Sequence, residues 1–69
     1  MDITAKIKMA ESYANVREAE LARRLGKYSQ AFGQRVRTGK FTYAELEAIA
    51  AALGAEFICK FRFPDGTEV

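Results

Sequence analysis

Apolar residues return every three or four positions through most of this chain, and every second position near its end. Ile3, Ile7, Ala10 and Ala14, with Tyr13 beside them, make one helical stripe over residues 2–14. Asp2 or Thr4 can cap its start, and Lys6, Lys8 and Glu11 are expected on the solvated side. A second helix over residues 18–25 turns Leu21, Ala22 and Leu25 to one face. Its acids Glu18 and Glu20 stand in the first turn and Arg23 and Arg24 in the last, the order a helix dipole favours, and Gly26 ends it. A third helix, about residues 29–37, buries Phe32 and Val36, leaving Gln30, Gly33, Gln34 and Arg37 largely outside. Thr42 and Glu45 form a capping box for a fourth, with Leu46, Ile49, Ala50 and Leu53 inward and Gly54 at its close.

The tail changes period. Phe57, Cys59, Phe61 and Phe63 alternate with Glu56, Ile58, Lys60 and Arg62, the pattern of a half-buried strand. Pro64-Asp65-Gly66 is a turn signal, and residues 67–69 can return as a short strand. The expected fold is therefore α+β, mainly α, with a four-helix core followed by a C-terminal β-strand or hairpin. Residues 1–69 make one domain, divided into a helical core (2–54) and a hairpin (55–69).

Composition narrows the chemistry. The chain has no His and a single cysteine, Cys59, so an internal disulfide and the usual Cys/His zinc sites are excluded. Cys59 is expected as a small buried hydrophobe within the alternating run. No nucleophile-elbow, phosphate-loop or zinc-protease motif is present, so a binding module is expected, without catalysis, cofactor, metal or small-molecule substrate. The start Met1-Asp2-Ile3-Thr4 lacks the layout of a secretion signal, and no apolar run is long enough for a bilayer. A reducing cytoplasm is the expected compartment, with no membrane contact.

Charge distribution says more than net charge. The chain is only +2, yet residues 21–44 hold six cations and none of the nine acids. A local field of about +6 over a glycine-punctuated helical pair suits a phosphate backbone. Ala22 permits close helix approach, and Leu21, Leu25, Phe32 and Val36 can wedge the pair. The third helix can then lie in a major groove about 12 Å wide.

Here the sequence resembles the Xre family of helix–turn–helix regulators, relatives of phage Cro and repressor proteins. The resemblance rests on Glu18-Ala19-Glu20-Leu21-Ala22-Arg23-Arg24-Leu25-Gly26, on Gln30-Ala31-Phe32, on Thr38-Gly39-Lys40-Phe41-Thr42, and on the run from Leu46 through Ile49 to Leu53-Gly54. It covers roughly residues 3–54. It implies a sequence-specific DNA-binding transcriptional regulator, in the main a repressor, acting on double-stranded DNA as a homodimer. Three features depart from the family. The tail reads as strand where many relatives have a fifth helix, Tyr28 stands where a Ser or Thr cap is expected, and Gly33 occupies a groove-facing position.

On this reading Ser29, Gln30 and Gln34 contact bases, a glutamine amide being able to pair bidentately with adenine. Lys27, Tyr28, Arg35, Arg37, Thr38 and Lys40 contact phosphates, and Arg17, Arg23 and Arg24 are secondary candidates. The tail strand, through Phe57, Ile58, Lys60 and Arg62, is the expected dimer element, because an unpaired edge invites a second copy. The alternative is a protein-binding adaptor or antitoxin-like module of a mobile element, its basic face docking an acidic partner.

Overall fold

The computed structural model describes residues 2–69; Met1, at the head of the expected domain, lies outside the described residues. Four helices follow in order: α1 (Ile3–Ala14), α2 (Glu18–Arg24), α3 (Ser29–Thr38) and α4 (Tyr43–Ala52). Each boundary has a local cause. Asp2 caps α1, its Oδ1 accepting from Ala5 N at 3.1 Å, and Asn15 ends it in the left-handed region. The box expected at α4 is present: Thr42 N donates to Glu45 Oε1 at 2.8 Å, and Glu45 N donates to Thr42 Oγ1 at 3.1 Å. Leu21, fully enclosed, stands at the centre of a core formed with Ile7, Ala22, Phe32, Val36, Leu46 and Ile49. Helix α2 lies against α3 and α4, and α1 against α3. Thr4 ties that last pair together, its hydroxyl donating to Val36 O at 2.6 Å. Val36 O also accepts from Gly39 N at 3.2 Å, so the Thr4 hydroxyl adds a second donor where α3 ends.

The tail overturns the α+β expectation. Among the described residues there is no strand, only an isolated antiparallel bridge between Arg62 and Glu68. The fold is all-helical. Phe61 and Val69 exchange backbone hydrogen bonds at 2.6 and 2.8 Å around the Pro64-Asp65-Gly66 reversal. The amides of residues 56–60, however, have no backbone partner among the described residues. Alternation marks which side chains a strand would bury, but a ladder needs a partner of matching length, and three returning residues do not supply one. Of the four alternating residues only Phe57 reaches the core; Phe61, Phe63 and Cys59 stay exposed, so Cys59 is not the buried hydrophobe expected. The molecule measures 44 × 22 × 19 Å.

Candidate nucleic-acid interface

The α2–α3 corner is set by backbone. Gly26 takes φ +69, and Lys27 N donates to Ala22 O at 2.9 Å, closing α2. Tyr28 then runs extended into α3 and supplies no side-chain cap. The first amides of α3 thus face solvent at the positive end of its dipole. Phe32 and Val36 turn inward, so Gln30, Gln34 and Arg37, at i, i+4 and i+7, share one outward stripe. Ser29, Lys27, Tyr28, Thr38 and Lys40 are exposed around it.

Gly33, three residues after Gln30 at the edge of that stripe, is not open to a groove. It is buried, and a Cβ there would stand 3.3 Å from Glu18 Oε2 and 4.0 Å from Arg37 Nη1. Its missing side chain leaves room for a carboxylate of α2 rather than for DNA.

The cation-rich window is partly neutralised from its flanks. Glu20 takes Arg23 through two bonds of 2.8 and 2.6 Å, and Arg24 through one of 3.0 Å. Glu45 takes Arg35 at 2.6 and 3.0 Å. These guanidinium groups hold the Glu20 and Glu45 carboxyls down at about 2, far below the ordinary carboxylate range. Lys27, Arg37 and Lys40 have no carboxylate partner among the described residues. Three of the six cations are therefore unengaged, and the field is about half of what linear counting suggests. The Glu20 pairs are exposed, and exposed ion pairs are weak, so Arg23 is readily redirected to another anion.

Arg35 is different. Besides Glu45 it donates to Lys40 O at 2.9 Å and lies 4.8 Å from the centroid of the Phe41 ring. It braces the α3–α4 turn instead of swinging outward as expected for a phosphate contact. Arg35→Ala should lower the melting temperature by a few degrees, and an unchanged melting temperature would contradict this placement. Thr38 is likewise occupied: its hydroxyl donates to Arg35 O at 2.8 Å and accepts from Lys40 N at 3.3 Å.

Beside Lys27 and Tyr28 opens an apolar groove of about 610 Å³ between α3 and α4. Ala31, Ala44 and Ala48 leave it wide, and Phe32, Phe41 and Ile49 line it. Sequence periodicity turns Ala31 inward beside Phe32 and Val36, whereas it stands exposed on the wall of this groove, of which the sequence gives no sign.

The four residues expected at a dimer interface separate. Phe57 packs on the core with its ring edge-on to Tyr43, centroids 5.7 Å apart. Lys60 and Arg62 both pair with Glu68, at 3.4 and 2.7 Å, within the chain's own reversal. Ile58 alone stands exposed without an apolar neighbour role in the core, 62% accessible.

The sequence reading also missed a buried acid. Glu11 is only 8% exposed, and its Oε2 has no hydrogen-bond partner. The signal was present, since Glu11 follows Ile7 by four positions on the inward stripe. Burial and the neighbouring Glu18 carboxylate push the Glu11 carboxyl up to about 7.

No protein-family model, curated protein or solved structure matches the chain. The resemblance to Xre regulators thus rests on the motif residues themselves. No helix among the described residues is long and apolar enough to cross a membrane.

Proposed function

We propose that the protein is a transcriptional regulator that places α3 in the major groove of double-stranded DNA. The observation that carries this is the exposed stripe of Gln30, Gln34 and Arg37, flanked by the unengaged Lys27 and Lys40. Gln30 and Gln34 read base edges, and Ser29 sits where the uncapped helix start meets a base or a phosphate. Arg37, Lys27 and Lys40 neutralise phosphates, with Tyr28 against the backbone and Arg23 recruited from Glu20 on contact. Repression by occluding a promoter follows from binding alone, without catalysis or cofactor, and places the protein in the cytoplasm.

A homodimer on a two-fold site fits this reading, with half-sites one helical turn apart, about 34 Å. Exposed Ile58 and the unpaired amides of residues 56–60 support a second copy as the partner.

The test is a gel shift against a random duplex pool at two salt concentrations. Arg37→Ala should weaken all duplexes equally and reduce the salt slope by about 0.9. Gln30→Ala should relax preference at one base position, at about 1–3 kcal/mol of discrimination. Wild-type protein that retains no duplex at low salt would end the reading.

A further inference from the structure

We propose that the enclosed Glu11 carboxyl, one oxygen of which has no partner, makes the seating of α1 against its neighbours sensitive to pH near neutrality. Glu11 comes from α1 and is enclosed, with Oε2 unpartnered. Glu18, the first residue of α2, reaches the space left by Gly33 on α3. Three other charged features meet it: Lys8 of α1, whose Nζ lies 3.4 Å from Glu18 Oε1; Arg37 of α3, near the same Gly33 position; and the dipole of α2.

Glu18 stands at the positive end of α2 and has Lys8 as a partner. Glu11 stands in the last turns of α1, where the dipole opposes an anion, and is desolvated besides. Glu11 therefore holds its proton well above the ordinary carboxylate range.

The direction of the pH effect follows. Glu11 releases its proton at about 7 when folded, but at the ordinary 4.5 when the chain is unfolded. Between those values the folded state binds more protons, so stability falls as pH rises from 4.5 through 7. Below 4.5 the opposite trend begins, because Glu20 and Glu45, held down at about 2, lose their arginine pairs on protonation. The hold of α1 on its neighbours thus weakens as pH rises through about 7.

Denaturant unfolding of the full chain at several pH values between about 5 and 8 tests this. For wild type the folding equilibrium constant should drop about tenfold or more across that range, each unit of pKa displacement corresponding to a factor of ten. Glu11→Gln, which keeps the shape and cannot ionise, should be flat over the same range and more stable than wild type at the upper end. A flat wild-type profile, or a Glu11→Gln profile that still slopes, would overturn the proposal. Should Glu11→Gln fail to fold, carbon-13 NMR titration of the wild-type carboxyls decides: a Glu11 midpoint near 7 supports the proposal, and an ordinary midpoint refutes it. Neither readout contains DNA, so both stand or fall independently of the duplex-binding reading.

Discussion

Leu21→Ala should remove most of the domain's stability, about 3–4 kcal/mol. Leu21 has no solvent exposure and touches the one core that holds the helices together. Truncation removes its transfer free energy and leaves a cavity that Ala22, Phe32 and Val36 cannot collapse into without moving α2 off α3. A chain of 69 residues has on the order of 4–10 kcal/mol in total, so the loss is comparable to the whole at the lower end. Circular dichroism on heating should show a broad transition beginning near room temperature. A melting point within a few degrees of wild type would mean the core is held elsewhere.

The second large effect is expected at Gly39. It closes α3 with φ +67, and a Cβ there would stand 3.0 Å from Thr4 Oγ1 and 3.5 Å from Thr4 N. The left-handed conformation itself costs an alanine about 1–2 kcal/mol. The contact adds to this, because the Thr4 hydroxyl it meets is the one bonded to Val36 O. Gly39→Ala should therefore lower the melting temperature by about 10 °C. Gly26, with φ +69 and nothing within 4 Å of its Cβ position, isolates the two contributions. Gly26→Ala should cost only the conformational part, and equal losses at the two sites would show that α1 does not bear on the end of α3.

The helices were legible because their signals are local. Asp2, Thr42 with Glu45, Gly26 and Gly39 each fix a boundary with atoms a few residues apart, and the apolar spacing between them has one period. The misread parts depend on distant groups. Alternation in the tail describes a strand only if another strand lies beside it. Arg35 reads as a free cation until Glu45, ten positions on, folds back to it. Counting charges in a linear window cannot register Glu20 and Glu45, which stand outside the window or at its edge and reach in. Gly33 reads as open to a groove for a related reason: helix spacing sets it beside Gln30 and Arg37, and only the Glu18 carboxylate from α2 shows that the space over it is filled. For the candidate site, Gln30, Gln34, Arg37, Lys27 and Lys40 stand exposed at the surface. Arg35 and Thr38 are used to hold the α3–α4 turn.

The tail has a practical effect on weighing this molecule. Its radius of gyration is 13.2 Å, whereas a ball-shaped chain of this length would have about 11 Å. A single copy will therefore elute from a sizing column ahead of round standards of equal mass, and elution volume alone would count one chain as more than one. Light scattering, which weighs particles regardless of outline, is the measurement from which stoichiometry should be taken.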